Sequence, residues 1–495
     1  MYGVRVLTSN SPRSDKPQPN IICHLVKLYQ SVPSSLMLER FRRHLTQSGL
    51  IQDGARVLVG YSGGADSTAL LHLLKQCEVG IVAAHLHHGQ RPEAEEELAK
   101  CQAFAETLDI PFLAGRADVP RMAAELGIGL EEAGREARYG FFSEASFRTE
   151  CDLIATAHTQ TDQVETILLN IARGCGLHGL IGIPERRDNI VRLLLPFSRE
   201  ETQGYCNAHG LWTHDDPANT DLAFSRARFR NRIIPELKIV NPGLDAAVLR
   251  LSSNAEDEDR FLNGMAAAAL EQAEIPLNGE LRFLTDDVEM RFDRSKLAHL
   301  PLVLRKRAVR LATEALGAPL SFEQTQIAAL GLSETKTASV TAEKGEVVVE
   351  WGADAVDIRK LAPATPFRYG ITVPGETLSE EFGWQFTAFE SEADGTVPQR
   401  ASLNTVFDYA KVKGPLYFRT TKSGDAMQPL GFNGRRKLSD LLSEAKLTQA
   451  ARARLPIVCD MIGPIWAPGV CVDERTRPNV SSTRLILMRF STLKA

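Results

Sequence analysis

Along the first half of the chain, short unbroken apolar runs alternate with stretches in which leucine and alanine recur at helical spacing. Residues 57–61 are aliphatic or branched and end in a tyrosine, the pattern of a buried strand. The next segment, Asp66-Ser-Thr-Ala-Leu-Leu-His-Leu-Leu, begins on a short polar residue and spaces its leucines for one helical side. Similar apolar runs lie at 80–86, 110–114 and 152–158, and helical spacing at 93–108, 119–126, 131–142 and 159–174. A β-α-β-α succession with short connections predicts an α/β domain built on a doubly wound parallel sheet. Residues 189–196 then read as a trailing strand and 200–210 as a helix, while Met37 opens the first helix of the chain.

Beyond Pro235 the rhythm changes. Residues 244–272 are rich in Ala, Leu, Glu and Asp and read as helix, as does the basic-faced stretch 301–316. Residues 317–365 mix helix with β-like runs such as 346–350, and Pro363-Ala-Thr-Pro366 marks a linker. Short alternating runs over 370–412 predict small strands. The expected organisation is an extension at 1–36, an α/β domain at 37–240, a largely helical middle domain at 241–365 and a small basic α+β domain at 366–495. The extension is rich in Ser, Pro and Asn, and Lys27 and Gln30 interrupt its one apolar stretch, so it reads as disorder or as an upstream start codon and not as a signal peptide.

A chain of 495 residues exceeds one ordinary core, in keeping with several domains. The net charge of −5 excludes a globally basic nucleic-acid binder, yet residues 416–495 hold 13 Lys/Arg against 6 Asp/Glu, so the charge is segregated. No apolar run approaches the roughly 20 residues needed to span a bilayer. Eight cysteines are scattered without a Cys-x-x-Cys pair, which predicts reduced thiols in a cytoplasmic protein.

The candidate chemistry gathers where predicted strands run into helices. Ser62-Gly63-Gly64-Ala65-Asp66-Ser67 makes a turn whose backbone N–H groups, with the positive end of the following helix, suit a phosphate. It is not the Walker-type loop, because no Gly-Lys-Ser/Thr follows. His85, His87, His88 and Arg91 close the second strand. Adjacent histidines on a strand cannot face one point, so nucleotide contact is a better expectation than metal. Arg135 and Arg138 share a helical face, either solvated or placed to neutralise phosphate. His158 ends the fourth strand. Asp162 and Glu165 follow one helical step apart, either compensating the helix dipole or holding Mg²⁺ or an amine.

The strand, Ser-Gly-Gly-x-Asp-Ser and helix together resemble the PP-loop signature of ATP pyrophosphatases, which split ATP between the α and β phosphates. The further segments resemble the tRNA(Ile)-lysidine synthetase family more than other PP-loop enzymes. They are Glu132-x-x-Arg135-x-x-Arg138-Tyr139, Ala155-Thr-Ala-His158-x-x-x-Asp162-Gln163-x-Glu165-Thr166, Trp212-Thr-His-Asp215-Asp216-Pro217 and Arg226-x-Arg228-x-Arg230. In the C-terminal part the likeness continues through Gly424-Asp425, Pro429-Leu430-Gly431, Gly434-Arg435-Arg436-Lys437 and Ile465-Trp466-x-Pro468-Gly469. Two positions depart from the family pattern: Thr161 stands where an aspartate is usual, and Ala227 where an asparagine is.

The resemblance implies that ATP adenylates the wobble cytidine of isoleucine tRNA with a CAU anticodon. Free L-lysine then displaces AMP at carbon 2 to give lysidine. It implies ATP and Mg²⁺ as cofactors, with residues 62–67, His85 and Arg135 on ATP and Asp66 as a catalytic group and Mg²⁺ ligand. Asp162 and Glu165 would bind and help deprotonate lysine, and Arg138 and His158 would complete the catalytic set. tRNA would meet Arg91, Arg226, Arg228, Arg230, Arg419, Arg435, Arg436 and Lys437. No membrane partner is implied, and a homodimer is among the assemblies the resemblance allows. A tRNA thiolase is the nearest rival, but it would want paired cysteines. A non-catalytic tRNA-binding protein would have little use for the intact loop and carboxylates.

Overall fold

The structure, a computed structural model, describes residues 34–87, 94–214, 225–334, 336–342, 346–361, 365–392 and 397–493. It divides into two compact units, one ending at Asp259 and the other beginning at Arg260.

The first unit carries the predicted sheet. Strands β1 (Arg56–Gly60), β2 (Gly80–His87), β3 (Phe112–Arg116) and β4 (Leu153–Ala155) pair in parallel. The order is β3-β2-β1-β4-β6-β5, with a short antiparallel edge from β5 (Arg186–Arg187) and β6 (Ile190–Val191). The predicted trailing strand at 189–196 is thus cut to two residues, because the chain turns after Val191 while Leu193 and Leu194 pack into the core. Helices α1 (Ser34–Ser48), α2 (Ala65–Gln76), α3 (Ala94–Thr107), α4 (Val119–Leu126), α5 (Leu130–Arg148), α6 (Gln160–Arg173), α7 (Leu177–Ile181) and α8 (Arg199–Ala208) surround it.

Strand alternation divides the core between the two faces of the sheet. Val57 and Val59 pack with Leu70, Leu73, Leu193 and Phe197 on one side, and Leu58 packs with Val82, Phe142 and Ile154 on the other. Burial of apolar surface on both faces, at about 25 cal/mol per Å², is what holds such a sheet. The chain winds outward from β1 through β2 to β3, then returns to place β4 on the other side of β1. Between the carboxyl ends of β1 and β4 lies the topological switch point, where open α/β sheets bind ligands.

The unit continues through α9 (Ser225–Arg228), one turn of π-helix (Phe229–Ile233) and α10 (Ile234–Val240). A long helix, α11 (Leu244–Ala273), runs past the division. In the second unit, α12 (Arg294–Ala298), α13 (Leu302–Ala315) and α14 (Phe322–Gly331) pack against a four-stranded antiparallel sheet whose inner strand includes Val347 and Val349. The remainder forms a five-stranded and a four-stranded antiparallel sheet around Trp384, Phe386, Phe418, Trp466 and Phe490. Leu281 and Leu284, from the segment read as the middle domain, are buried in this second core. Thr448 also donates its backbone N–H to the Asn278 side chain. No helix among the described residues is long and apolar enough to cross a membrane.

Candidate active site

The first wall of the site is the turn after β1. Gly63 adopts φ +79°, a left-handed conformation that favours glycine. Ser67 Oγ donates to the Gly64 carbonyl at 3.0 Å and accepts from the Ser62 N–H at 3.2 Å, which folds the turn over the start of α2. No side chain caps α2, so its first-turn N–H groups are not taken up by a capping side chain. The strap Leu211–His214 crosses behind: the His214 N–H donates to the Gly63 carbonyl at 2.8 Å and the Trp212 ring packs against Gly63. His214 Nε2 lies 2.9 Å from a Glu97 carboxylate oxygen, tying the strap to α3.

The second wall is the start of α6. Thr159 caps this helix in a reciprocal box, with Asp162 accepting from the Thr159 N–H at 2.8 Å and its hydroxyl at 2.9 Å. The dipole-compensating reading of Asp162 therefore holds, but it is only half of what Asp162 does. Its other oxygen faces two guanidiniums, Arg199 at 3.3 Å and Arg230 at 3.4 Å. Arg199 also reaches Asp66 at 3.2 Å, and Thr202 hydrogen-bonds the second Asp66 oxygen. Glu165, buried, is held by two N–H groups of Arg230, one at 2.7 Å. Asp66, Asp162 and Glu165, chosen from the sequence, thus meet through Arg199 and Arg230.

Burial pushes the Asp66 carboxyl up, with Arg199 and Thr202 working against it. The Asp162 carboxyl is held below its usual range: burial opposes ionisation, and Arg199 with the Thr159 N–H outweighs it. Arg230, read from the sequence as a tRNA contact, is turned inward onto Glu165 instead, because a buried carboxylate without a cation is far more costly than an unpaired arginine at the surface.

His158 lies beside Asp162 with Arg135, Arg192 and Arg226 around it. Burial brings its pKa down to about 4 against the opposing pull of Asp162, with the three arginines reinforcing burial, so the imidazole is neutral near pH 7. Its Nδ1 pairs with the Thr156 hydroxyl at 3.0 Å. Arg135 lies over the Tyr139 ring at 4.9 Å, and Arg138 has Arg135 and Arg226 as its charged neighbours. Together they make a cationic rim. His85 is buried, and its Nδ1–H donates to the Tyr61 carbonyl at 2.9 Å, which leaves Nε2 as the free acceptor. Arg226 pairs loosely with Glu131 at 3.6 Å, and Arg228 is exposed. Arg91, His88 and residues 215–221 lie outside the described residues.

One departure from the family pattern, at Thr161, acquires a structural reading. The Thr161 hydroxyl accepts the Arg199 backbone N–H at 3.1 Å, joining α8 to α6. The expected departure at Ala227 is corrected by the sequence itself, since Arg230-Asn231-Arg232-Ile233 carries the Arg-Asn-Arg-Ile run with its asparagine at 231; Ala227 is simply buried. Arg199 was not foreseen. The readable signal was Ser198-x-x-Glu201, a capping box that fixes Arg199 in the first turn of α8.

Of the C-terminal cations, Arg419 is corrected. It is buried and grips Asp425 with two bonds of 2.8 Å, so it braces the fold and cannot offer its charge to a phosphate. Arg436 pairs with Glu444, Arg435 is exposed and donates to the Ala426 carbonyl at 2.8 Å, and Lys437 is exposed.

The loop fits the phosphates of ATP by its uncapped N–H groups. Mg²⁺ typically needs one or two carboxylates beside phosphate oxygens. Asp66 is the carboxylate on the loop helix, and each of its oxygens, though engaged, keeps a second lone pair. Among the described residues no three His, Cys, Asp or Glu side chains form a metal cluster. Cys101 and Cys206, near the loop, are pushed up to about 12 by burial and are inert thiols, which disfavours a sulfur-transfer reading.

Comparison with known proteins gives a coherent result. A PP-loop domain family matches residues 37–237, and a family described as the TilS substrate C-terminal domain matches 416–486. A tRNA(Ile)-lysidine synthase of Symbiobacterium thermophilum is 32% identical over 469 residues, covering 90% of this chain and 96% of that protein. One of Geobacillus kaustophilus is 30% identical over 484 residues, covering 93% and 100%. A crystal structure of a TilS C-terminal domain is 29% identical, with 26% of this chain and all of that chain covered and a TM-score of 0.25.

Proposed function

The chain belongs to the tRNA(Ile)-lysidine synthase family, and from that premise we propose that it joins free lysine to carbon 2 of the wobble cytidine of isoleucine tRNA bearing a CAU anticodon. The reaction is a carbon–nitrogen ligation that consumes ATP and yields AMP and diphosphate, carried out in the cytoplasm. The observation that carries this reading is the meeting of Asp66, from the phosphate loop, with Asp162 and Glu165 at one switch point.

In the first step the cytidine oxygen at carbon 2 attacks the α-phosphorus of ATP and pyrophosphate leaves. The uncapped N–H groups at 62–67 hold phosphate oxygens, and the rim of Arg135 and Arg138 offsets their charge. Asp66 is the residue that would hold Mg²⁺, which would supply charge neutralisation on the phosphates. The ring carbonyl, inert as it stands, becomes a good leaving group once it carries AMP.

In the second step the lysine ε-amine attacks carbon 2 and AMP departs. Asp162 and Glu165, already facing Arg199 and Arg230, are the carboxylates suited to the lysine ammonium, with Asp66 kept for the phosphate side. Asp162, kept ionised by Arg199, and Glu165 bind the ammonium and help its deprotonation for the attack. Neutral His158 stands beside them without adding repulsion. Arg228, Arg435 and Lys437 meet the tRNA backbone, the basic C-terminal segment serving as its platform.

Pyrophosphate release and labelled-lysine transfer into the tRNA, measured with ATP and each amino acid in turn, test the reading. Lysine alone should turn a single round of pyrophosphate release into continuous turnover and be transferred into the tRNA, with one AMP per lysidine. Transfer of sulfur, or release of AMP uncoupled from lysine, would refute it.

A further inference from the structure

Arg199 stands between the two halves of this chemistry. Its guanidinium reaches Asp66, on the phosphate-loop helix, at 3.2 Å and Asp162, at the start of α6, at 3.3 Å. Arg230 does not duplicate it, for that residue serves Glu165 and meets the same Asp162 oxygen at 3.4 Å, with no hydrogen bond to Asp66. The arginine is itself held. The Ser198–Glu201 box fixes the turn that carries it, its N–H is bound by Thr161, and Thr202 of the same turn grips Asp66. A planar guanidinium offers donors on separate edges and can serve two carboxylates at once, which a lysine ammonium on a flexible stem does poorly.

We propose that Arg199 is a positioning residue that fixes Asp66 and Asp162 at one spacing, so that the activated cytidine and the incoming amine are presented in register. The proposal rests on the assignment above of Asp66 to adenylation and Asp162 to lysine. Without Arg199 two like charges face each other across the switch point with only Arg230, on Asp162, and the Thr202 hydroxyl, on Asp66, to offset them, and no group spans the two carboxylates to fix their spacing. Neither half-reaction then keeps its geometry, although Arg199 need touch no reacting atom. A misplacement of about 1 Å costs on the order of a hundredfold in rate.

The test uses the full-length protein and follows the half-reactions separately: pyrophosphate release from ATP and tRNA without lysine, and lysine transfer into tRNA. Arg199→Ala should lower both by about a hundredfold. Guanidinium ion at millimolar concentration should restore both, since the site is one-third open to solvent, whereas urea, of the same shape but neutral, should restore neither. A folded variant that guanidinium does not rescue, or one that urea rescues equally, overturns the proposal, as does loss of only one half-reaction. If Arg199→Ala does not fold, Arg199→Lys decides: a lasting deficit in both steps supports the bridge, and a wild-type rate in either overturns it. Normal pyrophosphate release by Asp66→Asn, or a normal KM for lysine in Asp162→Asn, would instead sink the carboxylate assignments, a result separate from any obtained at position 199.

Discussion

Arg230 holds Glu165 by two N–H groups of one guanidinium, at the carboxylate the family resemblance assigns to a substrate ammonium. The side chain of Glu165 is only 4% exposed, so its charge depends on that partner. Replacing Arg230 with glutamine strands a buried carboxylate, and breaking such a pair typically costs about 3 kcal/mol. The midpoint of urea unfolding should fall accordingly. Free lysine should raise the melting temperature of Arg230→Gln more than that of the wild type, since its ammonium can take the vacated place. Equal shifts would show that lysine binds elsewhere.

Gly63 and Gly64 are adjacent but not equivalent. A β-carbon at Gly63 would lie 3.0 Å from Cys101 Sγ and 3.2 Å from the Trp212 ring, on a backbone with φ +79°. At Gly64 the φ is −68° and the nearest outside atom is 3.5 Å away, an ordinary contact. Gly63→Ala should therefore abolish ATP-dependent pyrophosphate release, and Gly64→Ala should leave the loop folded and retain release within about tenfold of wild type. Measured ATP affinities for the two variants should differ in the same order.

Features that depend on neighbouring residues are legible in the sequence. The loop, the strand-helix succession and the trio of Asp66, Asp162 and Glu165 were legible because each depends on local spacing, period and cap. The partners were not. Arg199 lies 133 residues from Asp66, and Arg230 lies 65 from Glu165. Nothing in a basic run distinguishes the arginine that turns inward from its neighbours, because that choice is made by a carboxylate on a distant helix. Leu281 and Leu284 were missed for the same reason, their core being built from strands more than a hundred residues later.

In the C-terminal segment the same distinction separates two kinds of arginine. Arg419 and Asp425 are 8% and 10% exposed and share two hydrogen bonds, and Lys422 N–H supports the carboxylate at 2.8 Å. Arg419→Ala should destabilise the protein by about 3 kcal/mol, read from urea unfolding, and weaken tRNA binding only through that loss. Arg435→Ala with Lys437→Ala should leave unfolding unchanged. Its tRNA affinity should fall, and the slope of log K against log salt should flatten by about 1 to 2. An unchanged slope would assign this run to a merely solvated surface.

His158 makes the stability of the fold depend on pH in a particular window. In the unfolded chain a histidine titrates near 6.5. In the folded protein burial, reinforced by Arg192, Arg226 and Arg135, brings this one down to about 4. Above about pH 6.5 neither state binds the proton, so the residue contributes no dependence. Between about pH 6.5 and 4 the unfolded state binds more protons than the folded state, and stability must fall as the solution is acidified. From neutral pH to about pH 5 the loss from this residue is on the order of 2 kcal/mol. His44, His72 and His85 are also lowered by burial and act in the same direction, so the comparison has to be made between variant and wild type. His158→Gln keeps a group that can pair with Thr156 but removes the titration. Its unfolding free energy, measured in urea at neutral pH and near pH 5, should therefore drop less than that of the wild type by about that amount. Parallel pH curves for the two proteins would mean that His158 is protonated as readily in the fold as out of it, and that its place among the three arginines is wrong.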